Sequence, residues 1–121
     1  MRLPRTCSMT QRADFTRVRT TGRAKPGRFV ILSTLEDPEL DSIRTGFITT
    51  KRSGKAHERV LLRRWFRALV QENVPNFENP QRYLVTIARP GANKASYAEL
   101  AKDWIQQARR LGLFAPTDKK Q

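Results

Sequence analysis

The chain reads as one α+β domain, and two observations predict this class. Apolar residues form strand-like runs at Phe29–Leu35, Arg44–Thr50 and Tyr83–Ala88, and helical stripes around Arg59 and from Ser96 to Leu111. These segments follow one another as α, two or three strands, α, β, α, which gives a small sheet covered by helices rather than an alternating parallel stack. A length of 121 residues supports one core and is short for two.

Taken in order, Thr10–Val18 is expected to form a short helix, with Thr10 as N-cap and Phe15 and Val18 on its inner side at i,i+3. Thr20-Thr21-Gly22 ends it. Lys25-Pro26-Gly27 reads as a turn. Phe29–Leu35 is β-branched and apolar on both faces, as in a strand covered from both sides. Glu36, Asp37, Glu39 and Asp41 place four of the eleven acids around Pro38. Their polarity and the proline predict an exposed loop pointing away from any anionic ligand, and a carboxylate metal site is the less economical reading. Arg44–Thr50 is a second strand. The basic segment that follows is expected to be helical to about Glu72, with Ser53 as N-cap and Pro75 as terminator. Asn73–Gln81 is turn-rich, and Tyr83–Ala88 is a third strand. Ser96-Tyr97-Ala98-Glu99 is a capping box that opens the last helix. Tyr97, Leu100, Ala101, Trp104, Ile105, Ala108 and Leu111 form its core stripe, and Gly112 stops it. Tyr97 and Trp104 read as core residues. The domain is expected over residues 1–115, with a disordered tail at 116–121.

Charge narrows the function. The formal net charge is +13, with a pI near 11.2, which suits a polyanionic partner. Lys51 to Arg67 holds seven cationic side chains against one acid, Glu58. At about 100° per residue, Lys55, Arg59, Arg63 and Arg67 fall within an arc of roughly 120°, opposite Leu61, Leu62, Trp65, Phe66, Ala68 and Leu69. A solvated face usually mixes signs, because like charges at i,i+4 destabilise a helix. Here arginines repel one another along the stripe, so an external nucleic acid accounts for them best. Guanidinium groups pair bidentately with phosphate and stack on bases.

Other chemistries find little support. Cys7 is the sole cysteine, which excludes an intrachain disulfide or a cysteine metal cluster. No apolar run is long enough to span a membrane, and Met1–Arg5 lacks the apolar core of a secretory signal. A cytoplasmic protein without membrane association is expected. His57 invites a general-base role, but no carboxylate stands at a predictable spacing to orient it, and a loop or helix-start residue that helps bind the nucleic acid is the simpler reading. No catalytic triad or carboxylate pair is visible.

Several segments together resemble the protein subunit of bacterial ribonuclease P. Asp14, Phe15, Val18 and Gly22 resemble its first helix, Phe29–Leu32 its first long strand, and Arg44 and Gly46 its Arg-x-Gly strand. Lys51, Arg52, Gly54, Ala56, Arg59, Arg64 and Arg67 match the signature basic segment, with Arg63 where lysine is common. Val85–Arg89 and Ser96–Leu111 resemble the closing strand and helix, so the likeness runs over about residues 3 to 112. The chain departs from the pattern at Val60 and Leu61, where the family has Asn and Arg, at His57 in place of valine, at Arg19 in place of an aromatic, and at Leu32 in place of tyrosine.

The resemblance implies an α-β-β-β-α-β-α sandwich related to a ribosomal-protein domain, with a left-handed βαβ crossover. Topology alone would favour the right-handed one. It also implies a subunit of the endonuclease that removes the 5′ leader of precursor tRNA, in which a large RNA catalyses magnesium-dependent hydrolysis. No protein oligomer is expected, and the metal positions are open. Lys51, Arg52, Lys55, Arg59, Arg63, Arg64 and Arg67 are then expected to touch the catalytic RNA. Arg12, Phe15, Arg17, Arg19, Val30 and Leu32 are expected to form the leader cleft, although Phe15 reads equally well as core. The alternative is a structural RNA-binding module, such as a ribosomal protein with no role in cleavage.

Overall fold

A computed structural model describes residues 7–115. The elements are α1 (Arg12–Thr21), β1 (Arg23–Pro26), β2 (Val30–Glu36), β3 (Arg44–Ile48), α2 (Ala56–Asn73), β4 (Arg82–Ala88) and α3 (Tyr97–Arg110). The tail expected at 116–121 lies outside the described residues, as does Met1–Arg5. The strands form one sheet in the order β1-β2-β4-β3. β1 with β2 and β2 with β4 are antiparallel, whereas β3 and β4 are parallel and α2 is the crossover between them.

Helices cover both faces of the sheet, so this small domain has two cores. On one face α2 and α3 bury Leu62, Phe66, Leu69, Leu100 and Trp104 against Val30, Leu32 and Leu84. On the other, α1 packs Val18 and Phe15 against Tyr83, Val85, Ile48 and Ile87. Two-sided coverage is the reason β2 and β4 are apolar at consecutive positions. Polar groups inside the sheet are paired. Trp104 Nε1 donates to Thr86 Oγ1 at 3.2 Å. Arg82, only 2% exposed, donates to Thr34 Oγ1, to the Asn79 carbonyl and to Glu36.

Three local expectations change. The strand β1, Arg23–Pro26, takes in Lys25 and Pro26 of the expected turn and leaves the turn into β2 to begin at Gly27. It forms the sheet edge, where no partner needs the proline N–H and outward side chains carry no apolar alternation. α1 begins after Gln11, which supplies no side-chain cap, so Thr10 is not its N-cap. α2 begins after Lys55, whose N–H donates to Glu58 Oε1 at 2.8 Å. Ser53 instead closes the 3₁₀ turn Lys51–Ser53, accepting from Thr50 N and donating to its carbonyl. The ends of α3 agree with expectation. Ser96 Oγ accepts from Glu99 N at 3.1 Å, Glu99 Oε1 accepts from Ser96 N at 2.9 Å, and Gly112 takes a left-handed φ of 72°.

Candidate nucleic-acid interface

The register gives the sheet two chemically opposite ends. Glu36 pairs with Arg82 and Arg44 with Tyr83, so the acidic loop after β2 lies at the end where β3 and β4 begin. Val30 pairs with Ala88 and Ile48 with Ile87 at the other end, where β3 runs into Lys51. The acidic loop and the basic segment are therefore separated by the length of the sheet, as the sequence suggested. Asp37 departs from the expected exposed loop, since it is half-buried and paired with Arg17.

At the basic end a cleft of about 570 Å³ opens between the start of α2, the Lys51–Gly54 loop and the Gly91–Lys94 turn. Lys51, Arg52, Lys55, Arg59 and Lys94 line it. The lone acid, Glu58, accepts from Lys55 N and from Asn93 Nδ2 at 3.1 Å. The Lys55 N–H bond, helped by Asn93 and neighbouring cations, holds its carboxyl below the usual range. Arg59 Nε is enclosed without a hydrogen-bond partner among the described residues. Lys94 was not legible as a site residue. It arrives because Gly91 N donates to the Arg52 carbonyl at 3.3 Å, folding the β4–α3 turn onto the loop.

Further along α2, the arginines lean towards β3. Arg63 Nη1 donates to Thr49 Oγ1 at 2.7 Å, and the Arg67 guanidinium sits 5.6 Å above the Phe47 ring. Arg64 and His57 are exposed. Leu61, expected on the buried arc, is 40% exposed, and its neighbour Val60 is 47% exposed. The buried stripe is Leu62, Phe66, Leu69 and Val70, rotated away from Leu61 because α2 packs over the sheet and α3 together.

A second cleft, of about 320 Å³, lies between α1 and the sheet. Arg12, Phe15, Thr16 and Arg19 line it from α1, with Ser33, Ile48, Val85 and Ile87 from the strands. Phe15 is half-buried and serves both core and cleft wall, joining the two readings left open for it. Gly46 makes this possible, because a Cβ there would lie 2.5 Å from Phe15 Cε1.

Three expected cleft residues stand elsewhere. Val30 and Leu32 are fully buried on the opposite face, in the α2–α3 core. Strand side chains alternate, so the β2 residue that reaches the cleft is Ser33, one position out of phase. Arg17 faces the acidic end. Its Nη2 lies 3.2 Å from Asp37 Oδ2, its guanidinium covers Tyr83 at 5.2 Å, and the Asp37 hydrogen bond raises its pKa. Among the described residues no three His, Cys, Asp or Glu side chains gather as a metal site, and no helix is long and apolar enough to cross a membrane.

A four-stranded mixed sheet between two helical layers, with a cationic crossover helix and a helix-walled cleft, defines a small basic α+β module suited to polyanions. Comparison with known proteins makes this specific. The family model for ribonuclease P matches residues 3–112. The chain is 36% identical over 102 residues to the ribonuclease P protein component of Syntrophomonas wolfei, covering 84% of each chain. It is 35% identical over 92 residues to that of Thermus thermophilus, covering 76% of this chain but 52% of the longer relative. Among solved structures, the ribonuclease P protein of Staphylococcus aureus superposes with a TM-score of 0.82 at 20% identity, covering 90% of this chain and 98% of that one. The Thermotoga maritima protein superposes with a TM-score of 0.73 at 20% identity, covering 82% and 94%. The chain belongs to the ribonuclease P protein family. It is accordingly a subunit of a ribonucleoprotein endoribonuclease that processes tRNA, in a family whose catalyst is the RNA, and its partner in that assembly is RNA.

Proposed function

We propose that the cationic end of the molecule docks on the catalytic RNA, while the α1 cleft holds the single-stranded 5′ leader of precursor tRNA. One observation carries this reading: the linings of the two clefts come within three residues of each other at the end of the sheet where β3 finishes. Ile48 lines the leader cleft and Lys51, three residues later, lines the basic one. A strand leaving the first meets the cations of the second.

In this reading Arg59, Arg63, Arg64 and Arg67, supported by Lys51, Arg52, Lys55 and Lys94, engage phosphates of the catalytic RNA. Phe15 offers a ring edge, Ile48, Val85 and Ile87 an apolar floor, and Arg12 and Arg19 the charge that single-strand sites combine with such platforms. Val30, Leu32 and Arg17 hold the scaffold and not the leader. The protein supplies binding and orientation, and hydrolysis belongs to the RNA. The carboxylates fit magnesium poorly, being dispersed or already paired, so the magnesium of the holoenzyme is assigned to RNA phosphates. The work takes place in the cytoplasm, where precursor tRNA is made.

Reconstitution with the cognate ribonuclease P RNA at low magnesium tests the proposal. The protein is expected to raise cleavage of leader-bearing precursor tRNA well above that of the RNA alone. Equal rates with and without protein would overturn it. A purely structural RNA-binding module would bind and leave the rate unchanged.

A further inference from the structure

Val60 and Leu61 are the exposed large hydrophobic residues among those described, at 47% and 40%. They are consecutive, they belong to neither core, and they stand on the most cationic helix of the chain. Helical spacing puts Arg63 and Arg64 one turn beyond Val60, with Arg64 and Trp65 one turn beyond Leu61 and His57 one turn before it. Trp65 is half-buried and meets Tyr97 edge-on at 5.6 Å, so Leu61 continues an aromatic surface outward into the arginine field.

Local stability does not explain the pair. A β-branched valine at an exposed helix position is a poorer helix former than alanine, and aliphatic surface left in water forgoes its burial free energy. A second copy of the chain is an unfavourable cover, because each copy carries a formal charge of +13 and Arg63 and Arg64 flank the patch on its C-terminal side. Charge complementarity selects a polyanion, and the apolar centre selects one with apolar faces. RNA has both, through its phosphates and through bases splayed from loops and bulges.

We propose that Val60 and Leu61 form an apolar seat for an unstacked base or ribose face of the catalytic RNA, with Arg63 and Arg64 holding the flanking phosphates. This rests on the proposed docking of α2 on that RNA and adds a salt-independent component to it. Phosphate contacts weaken as salt rises because binding releases counterions, whereas apolar contact is nearly indifferent to that release.

The test is binding of the ribonuclease P RNA over a salt series, with the wild-type chain, the double variant Val60→Ser/Leu61→Ser, and Arg63→Ala. The double variant is expected to bind roughly tenfold more weakly at every salt concentration, with an unchanged slope. Arg63→Ala is expected to lower the slope by about one unit or less. Val60 and Leu61 are exposed, so circular dichroism of the double variant should match wild type. If the double variant unfolds, the nearly isosteric Val60→Thr with Leu61→Asn keeps the comparison. Wild-type affinity in the double variant, a change confined to the slope, or a loss of self-association in sedimentation with RNA affinity intact would each overturn the inference. Failure of the wild-type chain to bind at all would instead overturn the docking proposal on which it rests.

Discussion

Gly46 shows how one side chain, or its lack, shapes the proposed leader cleft. It lies on β3 directly beneath Phe15, and a methyl group there would come within 2.5 and 2.7 Å of two ring carbons. Gly46→Ala must therefore move the ring or lift α1. Overpacking of this kind costs about 1–3 kcal/mol, which thermal unfolding would register. The same variant is expected to weaken binding of leader-bearing precursor tRNA while leaving leaderless tRNA unaffected, measured with the reconstituted holoenzyme. Equal affinity for both would mean the cleft does not hold the leader. Gly27 is a quieter case of close approach. Asp103 accepts hydrogen bonds from Arg28, Phe29 and Val30 N–H groups, and a Cβ on Gly27 would strike its carboxylate at 2.3 Å. The aspartate thereby ties α3 to the start of β2.

Helix ends set the stability of the elements that carry the site. The α3 capping box was fully legible, since Ser-x-x-Glu before an apolar stripe satisfies two orphan N–H groups reciprocally. Ser96→Ala is expected to cost about 1 kcal/mol in chemical denaturation. The Ser96 N–H bond lowers the Glu99 pKa, so its sign is that of a carboxylate stabilised in the fold. Its contribution is present at and above the ordinary glutamate range and is lost as pH falls through the lowered folded value. Glu99→Gln should thus be less stable than wild type at neutral pH and converge with it in acid, as followed by unfolding across pH. The start of α2 was harder to place. Ser53, a conventional N-cap residue, is used one turn earlier, and Glu58 caps from inside the helix. Local propensity could not choose between two adjacent turns that both offer a cap.

Across the whole molecule, charge is polarised along the strands. The acidic loop and the basic clefts lie at opposite ends of a seven-residue strand, roughly 20 Å apart. That is more than two Debye lengths at physiological salt, where the length is about 8 Å. Replacing Glu39 and Asp41 by Gln and Asn is therefore expected to change RNA affinity by less than about twofold at that salt, in the same binding titration used for α2. A larger change would mean RNA reaches the acidic end. The sequence by itself determined the α+β class, the three long strands, the closing helix and the cationic crossover helix, because periodicity, capping chemistry and charge are written locally. It did not determine which face of β2 meets α1. Each face carries two apolar residues and one hydroxyl, so nothing local distinguishes Val30, Leu32 and Thr34 from Ile31, Ser33 and Leu35, and packing of α3 on one side and α1 on the other settled the parity. The tertiary structure likewise decided that Arg17 pairs with Asp37, that Lys94 joins the basic cleft, and that Leu61 stays outside the core. Each of these depends on what lies across a gap of many residues, which only the folded chain brings together.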